Sequence, residues 1–189
     1  PVVAGAAYGY IGNTTATSFP DSNITADYFQ PPPTHSNPFA TGSKVTAVVV
    51  GTPGLYSTAP TCSFTAAPAG GVTATGTPVL DVVTAAVSAG GANYAVNDTI
   101  NLPDGVVLTV ASLSGSAVAT VTITNPGSAT SLPANPVAQV SSSGAGTGAT
   151  FTLHWGVVSV TITNAGSGYL SPPAITFSTG TAAATDTLG

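Results

Sequence analysis

The stretch Val158-Ser-Val-Thr-Ile-Thr-Asn-Ala-Gly-Ser-Gly-Tyr169, continued by Leu170-Ser-Pro-Pro-Ala-Ile-Thr-Phe-Ser178, decides the fold class. Val158, Val160 and Ile162 alternate with Ser159, Thr161 and Thr163, which is the period of a strand with one apolar and one hydroxyl face. Gly166 and Gly168 then supply a turn that needs positive φ or close backbone approach. A second β-prone run, Ala174–Ser178, follows the prolines. The same pattern occurs three more times upstream. Val45-Thr-Ala-Val-Val-Val50 leads to Gly54-Leu55-Tyr56, and Val82-Val-Thr-Ala-Ala-Val87 leads to Gly91-Ala92-Asn93-Tyr94. Ala119-Thr-Val-Thr-Ile-Thr124 leads to Gly127-Ser128-Ala129-Thr130. The markers at 56, 94, 130 and 169 are 38, 36 and 39 residues apart, and a near-constant period of this size signals a repeat architecture.

Each unit reads as about three short, half-buried strands separated by Gly-containing turns. In the last unit these are Val158–Thr163, Ala174–Ser178 and Ala182–Leu188; in the third they are Ala119–Thr124, Val137–Ser141 and Ala149–Trp155. The expected fold is therefore all-β. About four repeats of roughly 38 residues, at 44–81, 82–117, 118–156 and 157–189, build a sandwich-like, prism-like or stacked β body over 43–189. Within it Gly54, Gly91, Gly127, Gly166 and Gly168 form the repeat turns. Tyr56, Tyr94 and Tyr169 pack their rings over the strand pairs; the competing reading is a row of sugar-stacking platforms facing solvent.

Residues 1–42 have a different composition. They hold Tyr8, Tyr10, Phe19, Tyr28, Phe29 and Phe39, half of the Tyr and Phe in the chain, without strand alternation. Pro31-Pro32-Pro33 imposes an extended segment with no ladder donors. The segment reads as an arm whose aromatics need a surface to cover them, supplied by the body or by a partner.

Composition narrows the function further. Lys44 is the only basic side chain, the acids are six Asp, and charged residues make up 4% of the chain against 43% hydrophobic. Disordered chains combine low hydrophobicity with high charge, the reverse of this. The formal charge of −5 and pI near 4.1 arise from missing bases. One lysine cannot displace the counterions of a nucleic acid, so no nucleic-acid partner is expected. No apolar run reaches the length of a membrane helix, and the aromatics lack the two girdles of a membrane barrel. The start Pro1-Val2-Val3-Ala4, with no visible leader, fits a product made in a host cytoplasm whose initiator was trimmed.

The side chains for an active site are scarce. Cys62 is alone, which excludes an intrachain disulfide and a cysteine zinc cluster, and it reads as a small apolar residue in the strand Thr61–Ala66. His35 follows the proline run, and His154 lies on the polar face of a strand between Leu153 and Trp155. Asn97-Asp98 and Pro103-Asp104-Gly105 are turn sequences. Oxygen ligands on Asp98, Asn101 and Asp104 would suit calcium, but the spacing matches no calcium loop. Gly144-Ala-Gly-Thr-Gly148 precedes a strand and so is not a phosphate loop. No cofactor, no metal and no enzymatic activity are expected.

The fourth unit, Val158 to Ser178, resembles the Gly-Ser-Gly-Tyr β-repeats of surface proteins on tailed bacteriophage particles, found in tail-fibre, baseplate and head-decoration proteins. The resemblance spans about 44–189; in the third unit Thr130 replaces the Tyr, and the arm lies outside it. It implies a protein of the virion exterior, with a capsid decoration or cement protein as the first reading. Its implied partners are other virion proteins, the major capsid protein foremost, and further copies of itself. The alternatives are a tail-fibre or receptor- or carbohydrate-binding module, and an extracellular filament subunit whose N-terminal arm is donated as a strand.

Overall fold

A computed structural model describes residues 42–189. They fall within one compact unit. The arm aromatics from Tyr8 to Phe39 therefore lie outside the described residues.

The described chain is all-β. Its strands are β1 (Val45–Thr52), β2 (Cys62–Phe64), β3 (Thr75–Ala92), β4 (Thr99–Asn101), β5 (Val106–Ser114), β6 (Ala117–Pro126), β7 (Val137–Ala138), β8 (Ser141–Ser142), β9 (Thr147–Asn164), β10 (Ile175–Phe177) and β11 (Ala183–Leu188). Among the described residues the one helical element is a single 3-10 turn, Pro103–Gly105. The hydrogen-bonded orders are β1-β11, β10-β2, β3-β9-β7 and β6-β5-β4-β8, and every pairing is antiparallel. β-branched residues on alternate positions explain the strands, and the Gly and Pro clusters explain where they stop.

Pairing departs from sequence order. The first strand joins the last, and β3 joins β9 over its whole length. The runs expected as separate strands, Ala149–Trp155 and Val158–Thr163, are the two halves of one strand, β9. Likewise the boundary expected at 81/82 falls inside β3. Neither junction contains a proline, and the ladder runs on through Leu80-Asp81-Val82 and Trp155-Gly156-Val157. Four register shifts let this long ribbon twist and bend.

The registers reveal four equivalent strand pairs. Val45, Val48 and Val50 of β1 face Leu188, Asp186 and Ala184 of β11. In the second half of β3, Val82, Ala85 and Val87 face Trp155, Leu153 and Phe151. In β6, Val118, Val121 and Ile123 face Leu113, Val110 and Leu108 of β5. In the second half of β9, Val157, Val160 and Ile162 face Leu80, Pro78 and Gly76. The leading strands thus share the pattern Val-x-x-Val/Ala-x-Val/Ile. The register sets the starts of the third and fourth at Val118 and Val157, one residue before the Ala119 and Val158 expected from sequence.

Backbone bridges link the four pairs in a closed order. Tyr56 and Trp155 exchange bonds of 2.7 and 2.9 Å, Ala129 and Leu80 exchange two of 2.8 Å, and Tyr169 and Ser43 exchange two of 3.2 and 3.0 Å. The Tyr94 N–H donates to Ser116 O at 3.0 Å. Ala129, and not Thr130, therefore occupies the tyrosine position in the third pair.

The core is lopsided. Phe151, Leu153, Trp155, Leu108 and Val110 are fully buried, and they fill the pairs β3/β9 (second half of β3) and β5/β6. The corresponding residues elsewhere are Leu80 and Leu188 opposite the first position, but Pro78 and Asp186 at the second and Gly76 and Ala184 at the third. Each large side chain contributes about 1.5–3 kcal/mol on burial, so one half of the body holds most of the hydrophobic stabilisation. On the outer faces, hydroxyl pairs such as Thr75–Thr163 (2.7 Å) and Ser88–Thr152 (2.8 Å) replace the ion pairs of an ordinary sheet.

Candidate functional site

Among the described residues the tyrosine turns recur with the fold. Each leading strand ends in a glycine with positive φ: Gly54 (68°), Gly91 (61°), Gly127 (68°) and Gly166 (68°). At Gly91 a Cβ would also lie 2.2 Å from Thr147 O, so both conformation and space demand glycine. The turn brings the next ring onto the start of the return strand of the same pair. The Tyr169 hydroxyl accepts from the Ala74 N–H at 2.8 Å and donates to Thr65 O at 3.3 Å. The Tyr56 hydroxyl accepts from the Ala182 N–H at 3.2 Å. These amides precede β3 and β11 by one residue, and the tyrosines clamp them.

Tyr94 breaks the rule. Its equivalent donor, the Ala149 N–H, is directed to Gln139 Oε1 at 3.1 Å. The Tyr94 hydroxyl is buried without a hydrogen-bond partner. Burial raises its pKa, the Ala149 amide opposes the shift, and the negative charge of Asp98 adds to it. In the third pair Ala129 has no ring at all, and the return strand there is held by β4 instead.

Tyr56, Tyr94 and Tyr169 are only 3%, 5% and 3% exposed. A row of sugar-stacking platforms would need open ring faces, and these rings are buried. Sequence reasoning missed the residues beneath the rings. Gly146 lies against Tyr94 so closely that a Cβ would fall 2.1 Å from the ring, and Gly180 does the same beneath Tyr56. Their signal was available as a glycine two or three residues before the alanine at the start of the return strand, in Gly146-Thr-Gly-Ala149 and Gly180-Thr-Ala182.

The remaining candidates also serve the framework. His154 is half-buried on the outer face, with Nδ1 3.3 Å from Thr84 Oγ1. Asp98 Oδ2 accepts from the Ala95 N–H at 2.8 Å and closes its own turn. Asn101 Nδ2 donates to Ser141 Oγ at 3.0 Å, and Asp104 sits in the 3-10 turn with φ 59°. No group of three or more potential metal ligands converges among the described residues. Cys62 is half-buried at the edge of the core, where burial pushes its thiol pKa up and away from the reactive thiolate. His35 lies outside the described residues.

Two shallow features remain. A cleft of about 320 Å³ runs between Thr65–Pro68 and Tyr169–Ala174, with Leu170 77% exposed at its rim. Its lining contains no acid, base or thiol. A second hollow, about 140 Å³, lies over Val49, Gly51 and Ala183–Thr185.

No protein-family model matches the chain, and no solved structure matches it. Part of it is similar to an uncharacterized protein VP1 of Micromonas pusilla reovirus (isolate Netherlands/2005), at 36% identity over 113 residues and 47% of this chain. The chain spans about 6% of the length of that relative. The similarity is compatible with a viral protein and assigns no specific activity.

Proposed function

We propose that this chain is a non-enzymatic structural protein of a virus particle, acting on the particle exterior as a capsid decoration or cement protein. The observation that carries the proposal is the surface of the body. Val49, Leu55, Val140 and Leu170 are 60%, 55%, 69% and 77% exposed on a chain with one basic side chain. Such a surface adheres through apolar area and backbone hydrogen bonds and not through salt bridges. The similarity to a viral protein supports the same reading, as does the use of the recurring tyrosines, glycines and Asp98 for holding the backbone.

The test is the protein content of purified particles. Hundreds of copies per particle on the shell would support decoration, with the major capsid protein as partner. A few copies at a tail or vertex would support the fibre reading instead, and an open helical array would support the filament. Absence from purified particles would overturn the proposal.

A further inference from the structure

The ladders of the body divide the chain at one turn. Residues 42–115 carry β1 to β5 and residues 116–189 carry β6 to β11, and the Gly115-Ser116 turn joins β5 to β6. β1 pairs with β11, β2 with β10, β3 with β9, β4 with β8 and β5 with β6, so each of these ladders joins one segment to the other. The bridges Ser43–Tyr169, Tyr56–Trp155, Val72–Ser167 and Leu80–Ala129 cross the same boundary. Within a segment, among the described residues, strand pairing is limited to Thr99–Asn101 on Val107–Thr109 in the first and Val137–Ala138 on Thr150–Phe151 in the second. Neither segment pairs its long strands with its own.

The two segments are also alike, and they hold each other reciprocally. β3 and β9 both have 18 residues, and each gives its first half to one strand pair and its second half to another. Val82 faces Trp155, while the equivalent of Val82, Val157, faces Leu80, the equivalent of Trp155. The tyrosine clamps reach across as well: Tyr56 of the first segment takes the Ala182 N–H, and Tyr169 of the second takes the Ala74 N–H. A contact in which one patch meets its own equivalent is the contact of a two-fold dimer. Here the two partners lie in one chain.

We propose that the same contact forms between two copies of this chain. In that dimer residues 42–115 of each copy pair with residues 116–189 of the other, and the Gly115-Ser116 turn opens into an extended connection. Every ladder between the segments is kept, and only the turn changes. Gly115 has φ 66°, and a Cβ there would meet nothing within 4 Å, so no packing holds the turn closed. A second copy is the partner that fits, because the register of β3 on β9 is complementary to the other segment of this same sequence. Such a dimer is independent of any place in a particle. Inside one chain the segments meet at an effective concentration on the order of millimolar, the value for short linkers. The monomer therefore dominates in dilute solution, and the dimer is populated where copies fold close together. Interconversion requires all the ladders between segments to break, so each form persists once made.

The experiment takes the full chain, unfolded in denaturant and refolded at concentrations from micromolar to millimolar, and separates the products by size-exclusion chromatography with light scattering. The dimer fraction should rise with refolding concentration. Gly115→Val penalises the positive φ of the closed turn and leaves an extended connection unstrained. The penalty is about 5–30-fold per turn, and each dimer opens two turns, so the dimerisation constant should rise by about 30–900-fold. The contact is identified by Ser114→Cys with Ala117→Cys in a Cys62→Ala background. Ser114 and Ala117 are paired across the turn, which puts their Cα atoms about 4.5–5.5 Å apart, within disulfide range. Oxidation of the dimer should link the two chains, and oxidation of the monomer should close a loop within one chain. A dimer whose disulfides form within each chain overturns the proposal, since the association then lies elsewhere. Refolding at millimolar concentration that yields monomer alone, for both the unaltered chain and a folded Gly115→Val, overturns it as well.

Discussion

Removing one oxygen from each tyrosine turn separates a clamp from a passenger. In Tyr169→Phe the ring stays, and the Ala74 N–H, on a residue 1% exposed, loses its acceptor at 2.8 Å. A buried donor left without a partner costs about 1–3 kcal/mol. The lost bond to Thr65 O at 3.3 Å is long and adds little. Tyr56→Phe removes a single acceptor at 3.2 Å and should cost about 0.5–1.5 kcal/mol. Tyr94→Phe removes a hydroxyl that is buried without a partner, so it should be neutral or slightly stabilising. The order of loss is thus Tyr169, then Tyr56, then Tyr94. Urea unfolding followed by Trp155 fluorescence measures it, because Trp155 is 1% exposed in the core. At the size of this body 1 kcal/mol corresponds to roughly 2–4 °C in the midpoint, which a thermal scan also resolves. Equal losses for Tyr169→Phe and Tyr94→Phe would refute the reasoning, since the two differ in the hydroxyl's partner and little else.

Trp155→Ala should cost about 3–5 kcal/mol in the same assay, because the site is filled on every side and cannot collapse. Gly166→Ala should destabilise more than Gly115→Ala: both have positive φ, but a Cβ at Gly166 would lie 2.5 Å from Val72 O, whereas Gly115 has open space. Desolvation raises the pKa of Asp186, opposed by its own backbone N–H, and also raises that of Asp81. A folded-state pKa above the unfolded value of about 3.9 means that the folded form holds the proton more tightly, so stability falls as pH rises from about 3.9 through the folded pKa. Acidification through that window should stabilise the body, and Asp186→Asn should flatten part of the dependence in urea titrations run at successive pH values. Under the proposed function, attachment to the particle should survive about 1 M NaCl, where surface ion pairs are screened, yet weaken in mild urea; release by salt alone would show an ionic interface.

The legible part of the fold was local. Alternation in Val121-Thr-Ile-Thr and Phe151-Thr-Leu-His-Trp155 placed apolar residues inward and hydroxyls outward, and the structure keeps that assignment: Phe151, Leu153 and Trp155 are buried while Thr152 and His154 are not. A glycine two or three residues before each Tyr marked the turns, and those glycines have positive φ in the structure. The one-residue errors at Val118, Val157 and Ala129 came from aligning on side-chain type. Equivalence in a sheet is set by register, and register depends on the partner strand.

What the sequence determined by itself was the class of structure and the poverty of its chemistry. Period-two patterns, glycine turns and β-branched residues specify strands through steric rules that act within a few residues. A chain with one lysine, one cysteine and two histidines limits what any fold could assemble. Only the tertiary structure decided that the first strand joins the last, that β3 and β9 each serve two strand pairs, and that Asp186 occupies the position held by Val110 and Leu153 elsewhere. It also showed that β4 and β7 pair with two return strands, while among the described residues β11 is hydrogen-bonded to β1 alone. These are facts about residues as far apart as Val45 and Leu188. Antiparallel pairing is satisfied by many strand partners of similar pattern, and which pair forms is settled by how the whole set of inner faces packs together.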